Sequence, residues 1–315
     1  MNSEKNLLFF LHDDTFLSKE LSRLTCLPLS PCRVSHFADG EVFAKPLCDV
    51  NAKNCFIVQS TSRPANDRLM ELLVFMDALH NGGAKSLHLI VPYFGYARQD
   101  RKIDVSDPIS ARLVARLIEA SGASSISIAE VHNLHILSFF ENIPAINISS
   151  TPLFATYFED HAQKCGFDDK HVTIVSPDHG GVARAEALLS FFPGASLAVA
   201  TKFRPRPNRA EITGIEGNVA GQLCIILDDM IDTAGTVVAV SKMLYEKGAK
   251  AVFVGATHGI FSGNAVSNLL NAGVKEIVVS DSIDNHIDGV SYVSLAPLLA
   301  SYMENIANGE EGDAK

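Results

Sequence analysis

An alternation along the chain constrains its fold more than any other feature. Short apolar runs rich in Val, Ile and Phe take turns with stretches whose apolar residues recur at helical spacing. Residues 54–61 (NCFIVQST) predict a buried strand and residues 64–83 a helix. Pro64 stands at the start of that helix, Leu69, Leu72, Leu73 and Met76 share a face, and Gly82-Gly83 stop it. Strands are predicted at 86–93 and 124–131 with a helix at 108–123 between them. A second series has strands at 172–178, 196–202, 223–229, 251–258 and 276–282, and helices at 181–192, 233–249 and 264–273. Strands separated by helices of about a dozen residues imply parallel sheets with helices on both faces. The two series share a local layout, Gly-Ala-Lys between a helix and a strand, at 83–85 and 248–250. A chain of 315 residues can bury two cores of medium size. The expected fold is therefore two doubly wound α/β domains, 1–148 and 149–315, joined near 145–152, with a last helix able to pack back on the N-terminal domain.

Composition removes whole classes of function. Hydrophobic residues make up 47% and charged residues 20%, as in ordinary globular proteins, and the formal net charge is −10. An acidic chain is a poor general nucleic-acid binder, because backbone phosphates require clustered Lys and Arg. Small phosphorylated molecules stay open, since one local basic loop can serve them. The six cysteines, at 26, 32, 48, 55, 165 and 224, form no Cys-x-x-Cys and read as reduced thiols of a cytoplasmic protein. The N-terminal apolar stretch is too short for a signal peptide, and no run reaches the roughly 18 apolar residues of a membrane span. No membrane partner is expected. The polar end, 308–315, is expected to fray.

Ligands of doubly wound sheets bind at the carboxyl ends of strands. At such an end stands CIILDDMIDTAGT, residues 224–236. Thr233, Ala234, Gly235 and Thr236 offer backbone N–H groups and two hydroxyls to a phosphate, and Gly235 lets the backbone approach closely. Asp228, Asp229 and Asp232 would repel that phosphate unless the same ligand carries vicinal hydroxyls. A carboxylate accepts from both hydroxyls of a ribose diol, directly or through Mg²⁺. Phosphate on TAGT and diol on the Asp pair describes a ribose 5-phosphate moiety. The plainer alternative is an acidic N-cap at an ordinary strand–helix turn; it suits Asp232 better than the other two acids.

Other strand ends carry further candidates. VPYFGYARQDRK, 91–102, clusters Arg98, Gln99, Asp100, Arg101 and Lys102, either a grip on a nucleotide or a solvated charged loop. FADGE, 37–41, reads as a β-turn, or as Phe37 stacking on a base with Asp39 and Glu41 accepting from its amino group or ribose. In EVHNLH, 130–135, two histidines hint at zinc, but no third ligand lies close in sequence. SPDHGGVARA, 176–185, places Asp178 at a strand end. In TKFRPRPNRAE, 201–211, Lys202, Arg204, Arg206 and Arg209 stand on what the prolines suggest is a loop, able to close over a phosphate chain.

Residues 224–236 resemble the phosphoribosyl-pyrophosphate motif shared by phosphoribosyltransferases and ribose-phosphate pyrophosphokinases. FADGE, VPYFGYARQDRK and SPDHGGVARA, with ATKFRPRPN (200–208) and THGIFSG (257–263), resemble only the pyrophosphokinases, in the family's order and over nearly the whole chain. The resemblance implies domains of phosphoribosyltransferase type and an Mg²⁺-dependent transfer of pyrophosphate from ATP to ribose 5-phosphate. It implies that Arg98 and Gln99 bind ATP, while Phe37, Asp39 and Glu41 reach the ATP of a neighbouring subunit. A homo-oligomer follows, a dimer at least and compatible with a hexamer. His132 and Asp178 fall on the family's Mg²⁺ positions, His132 also touching the transferring group, and Lys202 and Arg204 on its catalytic Lys-x-Arg. Asp228, Asp229 and the run Asp232 to Thr236 fall on its ribose 5-phosphate site. The resemblance weakens where Asp104 and Ser106 replace basic residues and where the C-terminus lacks the Ser-rich, hydrophobic tail of phosphate-activated members. Those departures imply an enzyme that does not depend strongly on inorganic phosphate, because an acid repels a regulatory anion.

Overall fold

The computed structural model describes residues 1–12, 15–206 and 209–309, and at 202–206 and 209–212 the backbone alone. The chain divides into two compact units: Met1–Ser149 with Ser282–Asp284 and Ser294–Lys315, and Ser150–Asp281 with Asn285–Val293.

The first unit contains β1 (Asn6–Phe10), α1 (Phe16–Thr25), a hairpin of β2 (Cys32–His36) and β3 (Val42–Pro46), β4 (Asn54–Val58), α2 (Ala65–Asn81), β5 (Ser86–Val91), α3 (Ser110–Ala120), β6 (Ser125–Ala129) and β7 (Ala145–Ile148). Among the described residues its main sheet is ordered β1-β4-β5-β6-β7, every pair parallel. Parallel strands must be covered on both faces, and the sequence shows it: Cys55 and Ile57 pack into the cluster built by Leu72, Phe75, Met76 and Leu79 of α2, while their neighbours Phe56 and Val58 are buried on the opposite face. Phe9 and Phe75 meet edge-on at 5.2 Å. Leu72 and Met76 are the buried centre of the predicted helical face, with Leu69 and Leu73 packed at its margin.

The second unit contains α4 (Thr151–Lys164), β8 (Val172–Ser176), α5 (Val182–Leu189), β9 (Ser196–Arg206), β10 (Arg209–Glu216), β11 (Leu223–Ile231), α6 (Gly235–Glu246), β12 (Ala251–Gly259), α7 (Ala265–Asn271), β13 (Glu276–Ser280) and β14 (Ser291–Val293). Its sheet is ordered β10-β9-β8-β11-β12-β13-β14, with β10 antiparallel to β9 and the other pairs parallel. Alternation again feeds two cores. Cys224 and Ile226 pack with Val237, Val240 and Leu244 of α6, whereas Leu223, Ile225 and Leu227 pack with Phe154 and Phe158 of α4 and Leu188 of α5. Within the sheet the chain steps from β8 to β9 on one side and returns to β11 on the other, so the strand order reverses between β8 and β11.

One reading of the sequence changes. The stretch 201–211, expected as a loop, is strand at 201–206 and 209–211: β9 continues past its pairing with β8 and joins β10, with Lys202 opposite Ile212 and Arg206 opposite Arg209. Pro205 falls in the register shift of that hairpin, where a missing N–H costs no ladder bond. No expectation from the sequence covered β1, α1, the β2–β3 hairpin, β7, α4, β10 or β14. The last helix, α8 (Ala296–Asn308), belongs to the first unit, where Leu299 and Met303 are wholly buried.

Candidate active site

Reversal of strand order leaves a crevice at the carboxyl ends of β8 and β11, the usual place for a ligand on such a sheet. The last register pair is Val175 with Ile226, and beyond it β8 runs to Pro177-Asp178 and β11 to Asp228-Asp229. Asp178 orders its own turn, Oδ1 accepting from the N–H of Gly180 (3.0 Å) and Gly181 (3.2 Å). A Cβ at Gly181 would stand 3.0 Å from Ser176 Oγ, so a larger residue would press on this turn. The turn leads into α5, whose Arg184 donates through Nη1 to Asp228 Oδ1 at 3.1 Å and lies 3.7 Å from Asp229 Oδ1. The Asp229 N–H donates to the same Asp228 oxygen at 2.9 Å. Burial, reinforced by the Asp229 charge and opposed by Arg184, pushes the Asp228 carboxyl up to about 7.

The TAGT loop continues from β11. Ala234 adopts the left-handed region, with φ 63° and ψ 7°, before α6 begins at Gly235. A residue with a Cβ is strained there, and strain of this kind gathers at ligand sites. A Cβ at Gly235 would meet only Thr233 Oγ1, at 3.9 Å, so the helix N-terminus is open above it. The N-cap residue of α6 is Ala234, whose methyl group cannot cap, and Asp228 and Asp229 stand inside β11. Asp228 and Asp229 are therefore not N-caps. Segment 257–263 is tied to this loop through its backbone: Ile260 and Phe261 both donate to the Ile231 carbonyl, and Ser262 donates to that of Asp232 at 3.0 Å.

In the first unit the candidates follow β5 and β6 and join β2 to β3. After β5, Gly95 N–H donates to Thr61 Oγ1 at 2.7 Å, and a Cβ at this position would lie 2.5 Å from the Thr61 carbonyl oxygen. Tyr96 is left-handed (φ 64°), and its hydroxyl donates to Asn66 Oδ1. Arg98 and Gln99 are exposed, while the Gln99 backbone is pinned by bonds to Tyr96 and Ala111 and Asp100 is buried. The charged run is thus a pinned loop in which Arg98, Gln99, Arg101 and Lys102 are exposed. After β6, the buried Glu130 is left-handed (φ 46°), and His132 is exposed beyond it. His135 is placed differently: its N–H is accepted by Asn133 Oδ1 at the start of a 3₁₀ turn, Leu134–Phe139, and its ring meets Phe139 edge-on at 4.9 Å. Among the described residues no three His, Cys, Asp or Glu side chains converge as a metal cage.

FADGE is the turn between β2 and β3, closed by Gly40 N–H to Phe37 O (2.9 Å) and Phe37 N–H to Glu41 O (2.8 Å), with Asp39 Oδ1 accepting from Glu41 N–H (3.2 Å). A turn is compatible with binding here, because Phe37 is 57% exposed and its ring only edges on Phe43. Lys202 and Arg204 lie on β9, and their side chains fall outside the described residues. Sequence reasoning overlooked Arg184, and it had no sign of the left-handed Tyr96, Glu130, Ala234 and Phe261, which follow four different strands.

Residues 7–122 match the model of the N-terminal domain of ribose phosphate pyrophosphokinase, and residues 200–312 that of the phosphoribosyl synthetase-associated domain. The ribose-phosphate pyrophosphokinase of Bacillus subtilis is 41% identical over 302 residues, covering 94% of this chain and 93% of that protein. The chain belongs to the ribose-phosphate pyrophosphokinase family. The pyrophosphokinase of Ureaplasma parvum is 40% identical over 309 residues, 96% of this chain and 92% of its own. The crystal structure of phosphoribosylpyrophosphate synthetase from Mycobacterium smegmatis superposes with a TM-score of 0.88 at 33% identity, covering 97% of this chain and 99% of that one. This member of the pyrophosphokinase family is therefore an enzyme with the parallel α/β architecture of its relatives, and among the described residues no helix is long and apolar enough to cross a membrane.

Proposed function

We propose that this enzyme converts ATP and ribose 5-phosphate to AMP and 5-phosphoribosyl 1-pyrophosphate, supplying nucleotide biosynthesis in the cytoplasm. The observation that carries the reading is the pairing, at one topological switch point, of an open helix N-terminus with two adjacent carboxylates. The first suits a phosphate and the second a diol, and ribose 5-phosphate has both.

The roles follow from this chemistry. Thr233 to Thr236 hold the 5-phosphate, Asp228 and Asp229 take the ring hydroxyls, and Asp232 lines the same ribose 5-phosphate site at the entry to that loop. The anomeric hydroxyl attacks the β-phosphorus of ATP and AMP leaves; the β,γ-pyrophosphoryl group moves as a unit and no residue is covalently modified. Arg98 and Gln99 grip the nucleotide, and Phe37, Asp39 and Glu41 serve the ATP of a second subunit in a homo-oligomer. Lys202 and Arg204 neutralise charge on the group in transfer, and most of the acceleration comes from positioning and charge stabilisation. The donor set suits Mg²⁺: the Asp178 carboxylate is oriented by two backbone N–H groups and offers hard oxygen chemistry. Mg²⁺ keeps few protein ligands and reaches such sites chelated by phosphates, where it offsets their charge. His132 is the second residue assigned to this cation, and it also serves the transferring group.

The test is AMP release from Mg²⁺ and ATP, with and without ribose 5-phosphate, by wild type and Lys202→Ala in phosphate-free buffer. Sugar-dependent release, falling at least 100-fold in the variant, is the expected result. Release that ignores the sugar, or none under any condition, overturns the reading. Activity that appears only on adding inorganic phosphate keeps the reaction and removes the expected independence from phosphate.

A further inference from the structure

We propose that Arg184 is a positioning residue for the sugar: by clamping one oxygen of Asp228 it presents the other to the vicinal hydroxyls, and so sets the preference for ribose 5-phosphate over its 2-deoxy analogue. The inference rests on the assignment of the Asp pair to the sugar.

Three features of the second unit carry it. Asp228 Oδ1 accepts from Arg184 Nη1 at 3.1 Å and from the Asp229 N–H at 2.9 Å. Two donors at fixed angles hold the plane of that carboxyl group, so its second oxygen keeps one direction. The two acids also differ in access. The Asp228 side chain is 25% exposed and that of Asp229 only 7%, so an incoming sugar meets Asp228 first. Finally, Arg184 is itself only 15% exposed, on a helix that begins directly after the Asp178 turn. A guanidinium in that position offsets one of two like charges that would otherwise drive the adjacent carboxylates apart. A site arranged to hydrogen-bond both hydroxyls rejects a substrate lacking one, because a buried acceptor is left unpaired. A carboxylate free to turn loses that discrimination before it loses binding altogether.

The experiment compares wild type, Arg184→Lys, Arg184→Gln, Asp228→Asn and the Arg184→Gln/Asp228→Asn double variant. Each is measured for KM and kcat with ribose 5-phosphate, 2-deoxyribose 5-phosphate and ATP, and for sugar binding by calorimetry. Thermal unfolding checks that each is folded. Arg184→Gln should raise KM for ribose 5-phosphate tenfold or more, leave KM for ATP within twofold, and shrink the ribose-to-deoxyribose ratio at least fivefold. Arg184→Lys should recover part of each loss, and Arg184→Gln should add less than twofold in the Asp228→Asn background. If Arg184→Gln does not fold, the double variant, which keeps the wild-type net charge, still completes the comparison with Asp228→Asn. Equal increases in KM for sugar and ATP, an unchanged sugar ratio, or full additivity in the double variant would each overturn the proposal. Calorimetry separates this result from the reaction itself: a wild type that binds ribose 5-phosphate without turnover refutes the reaction and still tests Arg184, whereas one that binds neither sugar refutes both.

Discussion

At the scale of single residues, the end of β11 holds two adjacent acids, and burial there disfavours the charge of Asp228. The Asp228 carboxyl is pushed up to about 7, first by burial and then by Asp229. A group whose folded pKa lies above its unfolded value stabilises the fold below the unfolded pKa, and that contribution is lost as pH rises through the folded one. Asp228→Asn should therefore raise unfolding stability at pH 8 by about 1–3 kcal/mol and make little difference at pH 4, while sharply reducing turnover. Thermal unfolding at both pH values checks this, and a variant less stable than wild type at pH 8 would contradict it. Gly95 is a second point of constraint. A Cβ there lies 2.5 Å from a backbone oxygen, so Gly95→Ala should lower stability by about 2 kcal/mol or more and displace the loop bearing Arg98 and Gln99. An unaltered urea midpoint would refute it. The acids and TAGT were legible in the sequence because they are contiguous. Arg184 was not, since it meets Asp228 across 44 residues and nothing local fixes the direction in which α5 points it.

At the scale of elements, β5 crosses the middle of the first sheet with a histidine on it. His88 stacks on Phe56 at 5.1 Å, bonds through Nδ1 to Ser125 Oγ at 2.8 Å, and is driven down to about 4 by burial. With its folded pKa below the unfolded value, its stabilising effect is complete above the unfolded pKa and is lost as pH falls from about 6.5 towards 4. Wild type should lose about 2 kcal/mol from this group between pH 7.5 and 5, and His88→Gln should flatten that part of the pH curve in urea titrations. Equal slopes in the two proteins would dismiss the idea. The predicted strands and helices of both series are present because burial on two faces writes long apolar runs into a strand. The hairpin of β9 and β10 was not legible, because prolines suggest a loop and a register shift that absorbs one is a property of two strands together. Strands β7 and β14 are short edge strands whose burial pattern is nowhere continuous, so periodicity has little to report.

At the scale of the whole molecule, neither compact unit is one contiguous piece of chain. The first is completed by residues from the far end, among them α8, which packs against α1 with Leu299 and Met303 wholly buried. Met303→Ala should cost about 2–4 kcal/mol. A chain ending at Val293 should fail to give a cooperative first unit, seen as early proteolysis between residues 1 and 149; resistance equal to wild type would count against the assignment. The sequence by itself determined the alternation of strands and helices, the parallel α/β class and the segments that carry chemistry, because each is encoded by neighbours a few residues apart. Only the tertiary structure decided that β8 and β11 lie side by side, that Arg184 holds Asp228, that Asp228 and Asp229 stand in a strand and do not cap a helix, and that the last helix, expected as able to pack back, closes the first unit. Those outcomes depend on which distant surfaces exclude water together, and no local stretch of sequence contains that information.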